Sequence, residues 1–343
     1  MKVLLISTSI YRLTPKGVAG YSGLEHLVAL WAMELNKLGC EVSVVAPEAS
    51  DLGEGIEIIP VPLRCSEEQA YNVYKPRLTQ FDVVMDNTWL WHSVLSQMET
   101  DHQLPIIHIW HSDPQGLGSP PPIKYPCIVS LSQDQGSLIT MKWGFITRTV
   151  YNGIDLQVYK ADPSIERSDR YLFMGRYSTQ KCALEAAFLG KKCNVPVDLY
   201  GDTEIIGSQE YLMRVKSECD GSQVVFHEGV PREEVVKLYQ NHKALIHLVN
   251  YNEAFGLVPV EAMSCGMPVI VNRRGALPET VVDGKSGFVV NSLEEAEAII
   301  RENKVSSIKA EDCIEQAEKF SIEKSAQGHL KLFDEVANQH IYW

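Results

Sequence analysis

The chain has 343 residues, 45% hydrophobic and 22% charged, with a formal net charge of −13. That length exceeds a typical single core and makes two domains the default. The acidic balance excludes a general cationic nucleic-acid surface, so any anionic ligand must be met by a local cluster of Arg, Lys or backbone amides.

The opening run "KVLLIS" reads as a buried strand. It is too short to span a membrane and lacks a small-residue cleavage site. "PKGVAGYSGLEHL" follows, with Gly17, Gly20 and Gly23 in a G-x-x-G-x-x-G spacing. The second strand offers only Glu48, after a proline, so a dinucleotide fingerprint is a poor match. A loop of close backbone approach to a phosphate or sugar fits better. Leu24, Leu27, Val28, Trp31, Leu35 and Leu38 then form one helical stripe, which Gly39 ends.

"EVSVVAP", "FDVVMD", "PIIHIW" and "CIVSLS" are further strands of the first half, and "RYLFMG", "VPVDLYG", "QVVFHEG", "KALIHLV" and "MPVIVN" are strands of the second. Runs apolar on both faces predict parallel sheets covered by helices. Residues 232–240 and 292–302 are amphipathic helices, and "KFSIEKSAQGHLKLFDEV" is a final one. The seam falls in the turn-rich, charged residues 152–170. The fold class is therefore α/β, with two Rossmann-like doubly wound domains and a ligand cleft at the carboxyl ends of their strands.

Four stretches carry chemistry. In "RYLFMGRYSTQKCALEAAFLG", Arg176 and Lys181 lie between a strand exit and a helix start. A planar fork and a point charge beside unpaired amides suit a phosphate. An ordinary solvated basic turn fits the same residues. In "EAFGLVPVEAMSCGMPVI", Glu253 and Glu261 flank Gly256 and Pro259. Pro259 suits a first helical turn, Gly266 a stop, and Gly256 lets the amides near Phe255–Leu257 approach an anion. The glycine loop is the third stretch. In the fourth, "IIHIWHSDP", strand alternation points His108 and His111 to opposite faces, a poor metal pair. His111, at the strand's carboxyl end, can reach the cleft.

The eight cysteines are scattered without a C-x-x-C pair, which reads as reduced thiols in a cytoplasmic protein. No Walker loop, HExxH, serine elbow or DxD occurs. The missing DxD argues for charge neutralisation without a metal.

Together these segments resemble the retaining GT-B glycosyltransferases of family GT4. "YSGLE" is similar to Y-G-G-x-E, with Ser22 where a glycine is usual. "IIHIWHSD" is similar to the strand that carries the family's first-domain His. "VSLSQDQ" and "VYNGID" resemble segments before the linker. "GRYSTQK" is similar to G-R-x-x-x-x-K, with Cys182 in place of the following glycine. "EAFGLVPVEAMSCGMPVI" is similar to the E-x7-E segment.

The resemblance implies transfer of a sugar, with retained anomeric configuration, from a UDP- or GDP-linked donor to a hydroxyl of a glycan, lipid or small molecule. It implies no cofactor and no metal. Arg176 and Lys181 would neutralise the diphosphate, and Glu253, with the amides of Phe255, Gly256 and Leu257, would hold sugar and phosphate. Glu261 would bind the ribose, His111 the sugar, and Gly23 would allow close approach; Val230, in "HEGV", would meet the base. Residues 1–158 would be the acceptor-side domain, 159–322 the donor domain and 323–343 a helix returning to the first. No basic amphipathic helix supports membrane attachment. The alternative is a regulatory protein that binds a nucleotide sugar and transfers nothing.

Overall fold

The computed structural model describes residues 1–18, 22–99, 104–113, 120, 122–202 and 208–343. Gly20 and Tyr21 of the glycine loop lie outside the described residues. In chain order, the first elements are β1 (Lys2–Ile6), β2 (Leu13–Thr14), β3 (Gly17–Val18), α1 (Gly23–Lys37), β4 (Glu41–Pro47), β5 (Ile56–Val61) and α2 (Glu67–Tyr74). Next come β6 (Val83–Asp86), α3 (His92–Leu95), β7 (Ile106–Ile109), β8 (Ile128–Ser130), α4 (Gln133–Trp143) and β9 (Arg148–Thr149). The later elements are β10 (Tyr171–Met174), α5 (Ala183–Cys193), β11 (Val197–Gly201), α6 (Gln209–Glu218), β12 (Val224–Glu228), α7 (Arg232–Asn241) and β13 (Ala244–His247). They are followed by α8 (Leu257–Ser264), β14 (Val269–Asn272), α9 (Leu277–Thr280), β15 (Gly287–Val290), α10 (Leu293–Arg301), α11 (Ala310–Ala317) and α12 (Ile322–Ala337).

One unit comprises Met1–Gly153 together with Ile322–Trp343. Among the described residues its main sheet has seven parallel strands in the order β5-β4-β1-β6-β7-β8-β9. The order reverses between β1 and β6, which opens a crevice at their carboxyl ends. Of the apolar stripe expected of α1, Leu27, Val28, Trp31 and Leu35 are buried, Leu24 is half-buried and Leu38, beyond the last turn, is exposed; Gly39 stops the helix with a φ of +88°. That stripe packs on α12, whose Ile322, His329, Leu332, Phe333 and Val336 are buried. Trp31 Nε1 donates to Ser325 Oγ at 2.9 Å across the same contact.

The other unit is Ile154–Ser321. Among the described residues its sheet runs β12-β11-β10-β13-β14-β15, all parallel, with the reversal between β10 and β13. Tyr171, Phe173, Tyr177, Leu199, Ile246 and Ile270 fill its core. At the unit's start Ile154 N donates to Phe320 O at 3.0 Å, and Ile154 pairs with Ser321. Arg167 clamps two helix ends here. It donates to Tyr239 O at 2.6 Å, His242 O at 2.9 Å and Cys265 O at 2.6 Å, the carboxyl-terminal carbonyls of α7 and α8.

Three outer strands, β5, β9 and β15, were not expected from sequence. Each lies at a sheet edge, where one backbone side is unpaired and the apolar signal is diluted. β5 also contains Pro60, which an edge strand tolerates.

Candidate active site

The two strands that flank the reversal of the second sheet deliver the charged residues. β10 leads into Gly175, Arg176 and the turn ending at Lys181; β13 leads into Tyr251 and Glu253. Asn250 N donates to Gln180 O at 2.8 Å, tying the two exits together. Lys181 Nζ donates to Glu253 Oε2 at 2.8 Å and to the Tyr251 hydroxyl, which in turn donates to Glu253. His247 Nε2 stands 3.7 Å from the same carboxylate oxygen, too long for a hydrogen bond but close enough to act on its charge. Burial pushes the Glu253 carboxyl up, but Lys181 and His247 outweigh it and hold the group well below the usual carboxylate range. Burial likewise pushes the His247 imidazole down. The Arg176 side chain is half-buried and forms no hydrogen bond or ion pair among the described residues.

Cys182 caps α5 in the left-handed conformation, φ +57° and ψ +42°. That geometry explains why a glycine is the usual occupant of the corresponding position in the motif it resembles. The cysteine is buried, and its thiol is pushed up to about 12 by burial.

α8 begins at Gly256, whose φ is +87°. A Cβ there would lie 2.9 Å from Leu277 Cδ2. Gly275 is under a stricter demand, since its Cβ would fall 2.2 Å from Glu253 O. The neighbouring Ala276 N donates to that same carbonyl at 2.8 Å. Glu253 is thus fixed at its backbone and its carboxylate, immediately before a helix start whose first-turn amides have no intrahelical acceptor. The Phe255 ring packs edge-on against Phe320, 5.4 Å between centroids, so only its backbone is available to a ligand.

Glu261 occupies a second cluster. It is 6% exposed, accepts from Tyr239 OH at 3.0 Å and pairs with Arg232 Nη1 at 3.4 Å. Arg232 opens α7, two residues after the half-buried Val230, and also donates to Tyr159 OH. The structure therefore joins Lys181 to Glu253 and joins Glu261 to Arg232. Tyr251, His247, Arg232 and Tyr239 were missed on sequence. Tyr251, two residues before Glu253, and His247, at the end of the strand that leads to it, had a local cue; Arg232 and Tyr239 come from a separate element, α7.

In the first unit, Gly23 begins α1 behind Ser22. The Ser22 hydroxyl donates to the Glu25 carboxylate, as does Thr8 Oγ1 at 2.5 Å, so the serine is turned into the helix. Burial raises the Glu25 carboxyl. His111 follows β7; its Nε2 lies 2.9 Å from Asn87 Oδ1, and its ring centroid is 6.2 Å from that of Trp31. Burial, reinforced by His108 and His329, pushes the imidazole down to about 3. His108 is buried elsewhere, stacked on Trp91 at 4.1 Å. Among the described residues no group of three or more His, Cys, Asp or Glu is placed to hold a metal ion, and no helix is long and apolar enough to cross a membrane.

Two Rossmann-ordered units, the second with cations and carboxylates at its switch point, define the GT-B class of glycosyltransferase fold. The solved glycosyltransferase AviGT4, involved in avilamycin A biosynthesis, superposes with a TM-score of 0.75 at 20% identity, covering 100% of this chain and 99% of the other. Anabaena Alr3699/HepE, solved with UDP and glucose, gives a TM-score of 0.72 at 18% identity over 96% of this chain and 98% of the other. The family model for Glycosyl transferases group 1 matches residues 164–320, nearly the whole second unit. A D-inositol 3-phosphate glycosyltransferase of Corynebacterium jeikeium is 34% identical over 112 residues, 31% of this chain but only 26% of that protein. One from Frankia alni is 24% identical across 92% of this chain and 95% of its own length. Over residues 164–320 the second unit thus matches the Glycosyl transferases group 1 family, and the whole chain shares the fold of solved glycosyltransferases.

Proposed function

We propose that this protein is a retaining glycosyltransferase that moves a sugar from a nucleoside-diphosphate sugar to a hydroxyl acceptor. The observation that carries this reading is the Lys181–Glu253 pair, with Arg176, which has no ion-pair partner among the described residues, where β10 and β13 leave the sheet beside the start of α8. Arg176, Lys181 and the amides of Phe255, Gly256 and Leu257 neutralise the diphosphate. Glu253 and His111 hold the transferred sugar. Glu261 takes the ribose, within reach of the Arg232 and Tyr239 groups that already bind it. Val230 lines the base, and Gly23 gives the donor or acceptor room at the start of α1. The first unit serves the acceptor and the second the donor.

As the glycosidic bond breaks, negative charge grows on the departing diphosphate and the anomeric carbon becomes oxocarbenium-like. The acceptor hydroxyl attacks the face being vacated and gives its proton to the leaving phosphate oxygen. The protein's contribution is preorganised positive charge where that anion forms. Fixed cations suffice for this, so the reaction proceeds without a metal. A uridine donor is favoured by the likeness to a structure solved with UDP and glucose. Eight free thiols fit a reducing cytoplasm. The test is incubation with UDP-glucose or a GDP-linked sugar and a panel of sugar, polyol and lipid acceptors. Nucleotide release with an anomeric proton coupling matching the donor's supports the reading. An inverted product, or binding without release across the panel, rejects it.

A further inference from the structure

β6 leaves the first sheet at its order reversal, and Asn87 is the first residue beyond it. The side chain is fully buried, and its two ends have different partners. Nδ2 donates to Met85 O at 3.3 Å, while Oδ1 faces His111 Nε2 at 2.9 Å. A carbonyl can only accept, so the amide nitrogen must face Met85 and the amide oxygen must face the ring. An amide oxygen also can only accept, so the proton of a neutral His111 must sit on Nε2.

We propose that Asn87 is a positioning residue that locks His111 in its Nε2–H tautomer and leaves Nδ1 as a bare acceptor for a sugar hydroxyl. The inference rests on the assignment of His111 to the sugar. Nδ1 forms no hydrogen bond among the described residues, and the ring is only part-buried. The charged and titratable groups acting on it are His108 from β7, His329 from α12 and Asp86 from β6. Burial and the two histidines outweigh Asp86, so the ring is uncharged at neutral pH. A bare ring nitrogen attracts a hydroxyl proton and repels a phosphate oxygen. Asn87 thereby decides that His111 reads the neutral sugar and not the diphosphate, a choice the opposite tautomer or an imidazolium would reverse.

The test is a long-range proton–nitrogen correlation spectrum of the full chain, isotopically labelled at histidine nitrogens, with His111→Gln to assign the signals. In the wild-type chain, His111 should show a protonated Nε2 and an unprotonated Nδ1 at neutral pH. Asn87→Leu should move both nitrogens toward a common, averaged position; Asn87→Ser, too short to reach the ring, provides the same readout if the leucine chain does not fold. A protonated Nδ1 in the wild type, or an unchanged pattern in the variants, overturns the lock. Nucleotide release from UDP-glucose and GDP-linked sugars by the wild-type chain with the acceptor panel is measured in parallel. Binding without release there rejects the transfer reading itself, whereas a failed tautomer pattern alone rejects only the role of Asn87.

Discussion

Lys181 and Glu253 meet at 2.8 Å with side chains 16% and 12% exposed, so each is the main reason the other can be charged there. An incoming diphosphate draws Lys181 by the same attraction that now holds it to Glu253. Lys181→Ala removes one preformed donor to the developing anion and should lower the rate of nucleotide release by roughly 10²–10³-fold. A folded variant within about threefold of wild type would remove Lys181 from this role. His329 makes a separate prediction. It is fully buried, neither ring nitrogen has a hydrogen-bond partner among the described residues, and burial pushes its imidazole down to about 3 from an ordinary 6.5. Between those values the unfolded chain binds a proton that the folded chain does not, so stability falls as pH drops through this window. At pH 5 the loss is at most about 2 kcal/mol for one such group. Urea denaturation of wild type and His329→Leu at pH 8 and pH 5 should show the wild type losing about 1–2 kcal/mol more on acidification. Equal losses would mean that His329 is hydrogen-bonded or hydrated in solution. Of these residues, Lys181 and Glu253 were legible in the sequence by spacing and resemblance. Tyr251, Asn87 and His329 were not, because their importance lies in what stands opposite them.

Helix ends, rather than helix interiors, carry the more informative sequence at the next scale. Pro259 in the first turn of α8 and Gly266 just beyond its end were readable, and the helix spans Leu257–Ser264 as those signals require. The cap contributed by Arg167 was not readable. It lies within the turn-rich segment before β10, yet it serves the carboxyl ends of α7 and α8, 72 to 98 residues later. A guanidinium suits that place because it adds positive charge to two negative helix ends and supplies several donors in one plane. Arg167→Met would leave three carbonyls without this partner and should destabilise the second unit by about 2–3 kcal/mol. The check is a fall in the urea midpoint with an unchanged slope. Full stability in the methionine variant would mean that water replaces the cap at no cost. Edge strands mark the opposite limit of legibility. β5 carries a glutamate and a proline among its apolar residues and β15 is only four residues long, so neither period two nor a continuous apolar run stands out.

For the whole molecule, the decisive feature is that α12 belongs to the first unit although it follows the second in sequence. It buries Ile322, Leu332, Phe333 and Val336 and receives the Trp31 hydrogen bond through Ser325. At about 1.5–3 kcal/mol for each large apolar side chain, that burial is comparable with the roughly 5–15 kcal/mol that holds a domain together. A chain ending at residue 321 should therefore lose the cooperative unfolding of the first unit and become sensitive to limited proteolysis there. Retention of two cooperative transitions in denaturation would contradict this. By itself the sequence determined the strand-rich α/β class, the central strands, the main helix limits and the cation and carboxylate motifs. These follow from local sterics, capping and side-chain period, which act within a few turns of chain. Only the tertiary structure decided that Lys181 meets Glu253, that Arg232 meets Glu261 and that Asn87 meets His111. Such pairings depend on which strands become neighbours after helical crossovers, and no local property of the intervening residues encodes that order.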